Sequence, residues 1–237
     1  EPQFWVPRSP YQALALDWPV IRLTLSLCLW TTAILLLLGL PLAAWLAWSE
    51  SKVKPLVEAL IALPLVLPPT VLGFYLLILL GPQGAVGASL ERVGLPHLAF
   101  SFPGLVIGSV LYSLPFAVQP LHEGLRAIGR APLDMAATLG AGPVDRFFSV
   151  LLPLLRGSLL TAATLVFAHT LGEFGVILML GGNIPGQTQV LSIAIYDAAE
   201  ALDYARAHRL SLLMLGSAFV LLALLFALRR RGAGGAS

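Results

Sequence analysis

DMAATLGAGPVDRFFSVLLPL, residues 134 to 154, is rich in small residues, carries Asp134, Asp145 and Arg146, and lies between long apolar runs. If the flanking runs cross a membrane, this stretch must lie in water on one side. The runs do look membrane-spanning: 58% of the 237 residues are hydrophobic, only 11% are charged and the mean hydropathy is +0.88. Soluble domains carry about a quarter charged residues, so the chain is an integral membrane protein. A spanning helix needs about 20 predominantly apolar residues. Uninterrupted by Asp, Glu, Lys or Arg are the 27 residues between Arg22 and Glu50, the 32 between Glu58 and Glu91, and the 30 between Arg92 and Glu123.

The basic residues set the topology. Arg229, Arg230 and Arg231 follow the last apolar run, Lys52 and Lys54 follow the first, and Arg126, Arg130, Arg146 and Arg156 surround the opening stretch. Placing these regions in the cytoplasm puts nine of 14 Lys and Arg inside, as the positive-inside rule requires. The expected architecture is all-α with five spans, near residues 20 to 48, 56 to 80, 101 to 121, 154 to 180 and 208 to 229. The amino terminus is then outside the cell membrane and the carboxyl terminus cytoplasmic. Residues 1 to 19, with Trp5, Tyr11 and Trp18, suit the interface, residues 122 to 153 form the long cytoplasmic loop, and 230 to 237 are a flexible tail. Arg206 and Arg209 fall outside and count against this arrangement. A sixth span inside residues 186 to 205 stays open, although each central charge costs about 2.5 to 3.5 kcal/mol.

Several classes are excluded. A net charge of +2 without a basic cluster does not suit nucleic acid. Cys28 is the only cysteine, so no internal disulfide or cysteine metal site exists. No phosphate-cradling GxxxxGK[ST] loop occurs, no histidine pair has metal-ligand spacing, and no Ser, His and Asp set suggests catalysis. If ATP drives this protein, another chain binds it.

A possible path through the membrane is marked by broken helices. In ALPLVLPPTVLGF, Pro64, Pro68 and Pro69 remove backbone donors in quick succession, and Pro103, Pro115 and Pro120 are expected to repeat the feature in the third span. Freed carbonyls in lipid need other protein or a water-filled cavity, though prolines also bend helices for packing alone. Hydroxyls and half-helix amino termini around Thr70 and Ser113 are weak anion contacts. Glu173, about 24 Å along the helix from Gly157, is expected near the outer end of the fourth span, either in the path or at the outer interface; Gly175 follows it. Pro64, Pro68, Pro69, Thr70, Ser113, Glu173 and Gly175 are thus the candidates for path or gate. His169 reads as a packed polar residue.

Within the opening stretch, Leu133, Ala136, Ala137, Leu139 and Gly140 would give a short helix a narrow surface fit for another protein's groove, ended by Gly140 to Pro143. Its spacing resembles the EAA loop of ABC-type importer permeases: an acidic residue, two small residues, a glycine six positions on, an aliphatic residue ten after it, then x-Leu-Pro. Here these are Asp134, Met135, Ala136, Gly140, Val150, Leu152 and Pro153, with Asp for Glu and Met for Ala as departures. LPLVLPPTVLGFYLL (63 to 77), LGEFG (171 to 175) and NIPGQT (183 to 188) are similar to the molybdate and tungstate branch, with the sulfate branch close behind.

The resemblance implies a type I importer fold and a homodimer in the lipid bilayer. It implies two cytosolic ATPase subunits, holding ATP and Mg, docked on the EAA loops, and an extracytoplasmic binding protein delivering the oxyanion. The chain itself then needs no cofactor and is not an enzyme. Molybdate or tungstate is the expected cargo, sulfate or thiosulfate the runner-up. A secondary transporter, working without an ATPase, is the reading from another class.

Overall fold

Residues 17 to 233 are described by a computed structural model, in which every regular element is helical. The expected interfacial segment lies almost wholly outside the described residues, as does the end of the tail. In order, the elements are α1 (Trp18–Trp48), α2 (Lys54–Val66), α3 (Pro69–Leu80), α4 (Ala85–Arg92), α5 (Phe102–Ile128), α6 (Ala131–Thr138), α7 (Pro143–Asp145), a π-helical turn (Arg146–Leu151), α8 (Leu152–Gly172), α9 (Gly175–Gly181), α10 (Leu191–Glu200) and α11 (Tyr204–Ala233). By length and composition, five helical stretches are able to cross a membrane: Trp18–Trp48, Pro69–Arg92, Phe102–Ile128, Pro143–Gly172 and Tyr204–Ala227.

The centre of the bundle is α1, α5 and α8. Buried Leu35, Ala117 and Val166 meet there, one from each helix. Lipid tails give apolar side chains no reason to prefer protein over bilayer, so close approach depends on small residues. Gly39 faces Ala117 and Val118 of α5, and Gly124 of α5 faces Ser158 and Leu155 of α8. The buried clusters also define two ends. Leu46, Ile61, Leu125 and Leu151 gather beside α6, while Leu76, Leu80, Val176 and Leu180 gather towards α4. Thus α2 and α3 together run from the α6 end to the α4 end, and α4 folds back after Gly81 and Gly84.

Not all the prolines act alike. Helix stops at Val66, Leu67 and Pro68 are extended with ψ of 135°, and helix resumes at Pro69. Leu67 precedes a proline, which disfavours the α region, and the Pro68–Pro69 pair removes two successive donors. In contrast α5 stays unbroken through Pro115 and Pro120, against the sequence expectation. Isolated prolines cost one hydrogen bond each, and the flanking turns are held by α1 and α8. α5 also continues to Ile128 rather than ending near 121.

The fourth crossing departs most from expectation. It begins at Pro143, not 154, and runs without interruption to Gly172. Pro153 is admitted because the preceding turn is π-helical: the Leu152 N–H donates to the Phe147 carbonyl, five residues back, loosening the turn where a proline ring would crowd an α-helix. The crossing does not reach 180 as one helix, since Glu173 and Phe174 break it from α9. α10 has 10 residues, about 15 Å, too short for a sixth span.

Arg206, the residue at odds with the expected topology, has a local reason for its position. Its Nε donates to Asp17 Oδ2 at 2.9 Å, tying the start of α11 to the start of α1. Asp17→Asn is expected to lower stability by about 1 kcal/mol, since the pair is only part-buried. Thermal unfolding in detergent checks this, and Arg206→Gln added to Asp17→Asn should cost little more; full additivity would mean the pair contributes nothing.

Candidate translocation cavity and coupling surface

Where α8 breaks, a cavity of 550 Å³ opens between Pro69 and Thr70 at the start of α3, Tyr112 of α5, and the segment Ala168, His169 and Gly172 to Gly175. The chain folds this way because two breaks coincide. α9 runs beside α3, and a β-carbon on Gly175 would stand 2.8 Å from Pro69 Cβ, one on Gly73 2.8 Å from Met179 Cβ. Only glycine permits that approach at both positions. The amino end of α3, the positive end of its dipole, is thereby presented to the cavity.

Glu173 directly follows the last residue of the Pro143–Gly172 helix. It sits level with the first turn of α3 and with Tyr112, ten residues into α5. Glu173 is 4% exposed, and neither carboxylate oxygen has a hydrogen-bond partner among the described residues. Buried polar atoms are normally satisfied, and the neighbouring donor is the Ser109 hydroxyl, also buried and without another partner among the described residues.

Of the other candidates, Pro69, Thr70 and Gly175 line this cavity with Glu173, whereas Pro64 lies within α2 and Pro68 caps α3. Ser113 is no half-helix terminus: it is fully buried in mid-α5, 2.9 Å from His169 Nδ1 and 3.3 Å from Thr170 Oγ1. His169 is packed as expected, stacked on Phe116 with centroids 4.2 Å apart, and it also lines the cavity. Tyr112 and His169 were not singled out for the path. His169 lies four residues before Glu173, one turn away on the same face, and that spacing was the available signal. No Lys or Arg lines the cavity. The polar groups around it are the amino end of α3, the Thr70 and Tyr112 hydroxyls, His169 and the Glu173 carboxylate.

At the other end of the Pro143–Gly172 helix lies α6. Its half-buried residues, Pro132, Leu133 and Ala136, face the bundle, and Leu133 borders a hollow with Phe147 and Leu151. Leu133 and Ala136 therefore anchor the helix instead of forming the exposed strip expected of them. The outward face carries Asp134, Met135, Ala137, Thr138 and Leu139, with Val144 and Phe148 exposed nearby. Asp134 and Met135, the two departures from the family pattern, are thus on the face a partner would touch. The acid lies in the first helical turn, where the dipole favours it.

Gly140 ends α6 through backbone geometry. Its φ is +88°, its N–H donates to the Ala137 carbonyl at 3.0 Å, and the Ala141 N–H reaches the Ala136 carbonyl at 3.0 Å. That is a Schellman closure, which needs a left-handed residue. Val150 and Leu152 are half-buried and Pro153 is exposed, while Leu151, the unspecified position of the pattern, is the buried anchor.

Residues 39 to 231 match the model of the binding-protein-dependent transport system inner membrane component. The chain belongs to this family. A molybdenum transport system permease protein of Azotobacter vinelandii is 53% identical over 92% of this chain and 96% of its own. That of Escherichia coli K12 is 33% identical over 76% and 79%, and a sulfate transport system permease protein of Synechococcus elongatus 31% identical over 86% and 71%. Among solved structures, a bacterial ABC transporter involved in importing the acidic polysaccharide alginate superposes with a TM-score of 0.75 at 19% identity, covering 97% of this chain and 85% of that one. The shared fold is that of an ABC importer's membrane-embedded permease, and the chain is a multi-pass inner-membrane protein.

Proposed function

We propose that the permease, as a homodimer, forms the pathway for molybdate or tungstate into the cell, with its amino terminus outside and the α6 end in the cytoplasm. Two cytosolic ATPase subunits, which hold the ATP and Mg, dock on α6 and its neighbours, and an extracytoplasmic binding protein delivers the oxyanion. The observation that carries this is one continuous helix, Pro143–Gly172, which starts beside the exposed α6 surface and ends at Glu173 in the cavity. A rigid rod between the two sites transmits displacement at one as displacement at the other. Asp134, Met135, Ala136, Gly140, Val150, Leu152 and Pro153 serve coupling. Pro69, Thr70, Glu173 and Gly175 line the path, with Pro64, Pro68 and Ser113 supporting its walls. The cargo is read from the molybdenum relatives. The Synechococcus relative favours sulfate as the second reading.

Reconstitution of the permease with its ATPase and binding protein in liposomes tests this. Molybdate- or tungstate-loaded binding protein is expected to stimulate ATP hydrolysis several-fold, and sulfate not at all. Equal or greater stimulation by sulfate would move the assignment to the second reading. Oxyanion uptake driven by an ion gradient in vesicles lacking the ATPase would overturn the coupling altogether.

A further inference from the structure

Beside the coupling surface, on the flank of the bundle, lies a second cavity of 600 Å³. Leu36, Leu40, Pro41, Ala44 and Trp48 of α1 form one wall, and Phe147 of the π-helical turn helps form the other. None of the residues that line it is charged. Pro41 and Ala44 are small beside the leucines around them, which leaves an apolar slot that ends at Trp48, the last residue of α1.

The Trp48 end is basic and rich in unused donors. The Trp48 Nε1 and the Arg146 Nε are both buried and have no hydrogen-bond partner among the described residues. Arg146 adjoins Phe147 of the slot wall and borders the neighbouring hollow with Leu133 and Leu151. The Arg130 guanidinium stands 5.8 Å from the Trp48 ring centroid, and its Nη2 donates to the Trp48 carbonyl at 3.2 Å. A guanidinium carries five N–H donors, so most of Arg130 is free for another acceptor. Two arginines at the end of an apolar slot, one of them with most of its donors unused, suit a group with several anionic oxygens.

We propose that this groove holds an acyl chain of an anionic glycerophospholipid, with the lipid phosphate held beside Trp48 by the charges of Arg130 and Arg146. Apolar slot, belt tryptophan and basic rim stand in the order in which chain, interface and headgroup occur in a leaflet. A zwitterionic phospholipid would fill the slot, but its headgroup cation would offset the phosphate and leave the two arginines no net negative charge. A second copy seated here about a twofold axis would set the arginines against their own equivalents. The site stands independently of the transport reading, since neither oxyanion nor ATPase enters it.

Native mass spectrometry of the full-length chain, released from detergent after incubation with equimolar phosphatidylglycerol and phosphatidylcholine of matched acyl chains, tests the site. Phosphatidylglycerol is expected to be retained about tenfold over phosphatidylcholine. Arg130→Gln with Arg146→Gln should bring the two lipids to near parity while both still bind, and Ala44→Phe, which fills the slot, should reduce both. If Ala44→Phe fails to fold, the arginine pair, with Arg130 exposed and Arg146 half-buried, still decides. Equal retention by the unaltered chain, an undiminished preference in the arginine variant, or a lipid-free dimer with the groove crosslinked to a second copy would each overturn the proposal.

Discussion

Gly140→Val is expected to reduce oxyanion-stimulated ATP hydrolysis in the reconstituted complex by about tenfold or more, while the permease still inserts and folds. Gly140 has a φ of +88° and nothing within 4 Å of where a side chain would begin. The obstacle is therefore conformational and not steric crowding. A left-handed residue with a β-carbon costs about 1 to 2 kcal/mol, more when branched. α6 has eight residues and none that is buried, so it has little packing energy to hold its shape against that cost. Loss of the Schellman closure would free the Ala136 and Ala137 carbonyls and let the outward face of Asp134, Met135 and Leu139 lose its form. Gly140→Asn is the control, because asparagine tolerates the left-handed region; it should keep most of the stimulation. Equal activity of the valine and asparagine variants would dissociate Gly140 from coupling.

Gly175→Val should damage the opposite end of the same rod. A β-carbon there would lie 2.8 Å from Pro69 Cβ and 3.4 Å from the Thr70 nitrogen. Neither neighbour is the loose end of a flexible side chain, so α9 and α3 must separate, at a cost of about 1 to 3 kcal/mol for overpacking. Pro69, Thr70 and Gly175 all line the cavity, and the strain falls on its wall. Oxyanion uptake is expected to fall about tenfold or more, while the ATPase subunits continue to copurify, because α6 is untouched. Gly157→Ala is the matched control, being helical with nothing within 4 Å. Uptake by Gly175→Val at the level of Gly157→Ala would show that the α3 and α9 contact does not shape the path.

Much of the architecture was legible in the chain itself. The gaps between charges marked five apolar crossings, and the structure has five helices of that length and composition. The Pro68–Pro69 pair announced the break between α2 and α3, because successive lost donors and the restriction on Leu67 are local effects. Pro115 and Pro120 sent the same local signal and were overruled by packing on α1 and α8. Gly140 was legible as a helix end because the left-handed C-cap is also local.

The candidate site was less so. Thr70, Glu173 and Gly175 could be named, but not that they meet around one cavity, which depends on how α3, α5 and α8 pack together. Ser113 was named for an open path and proves to be tied to His169 behind the wall. The Asp17 and Arg206 pair joins residues 189 apart in sequence, and nothing in one chain's order discloses such a partner. By itself, then, the sequence determined the membrane-spanning class, the number of crossings and the position of the coupling loop, because hydropathy, charge spacing and backbone restriction act over a few residues. Only the tertiary structure decided which breaks line a cavity and which side of α6 faces outward, because both depend on glycine-permitted contacts between distant helices.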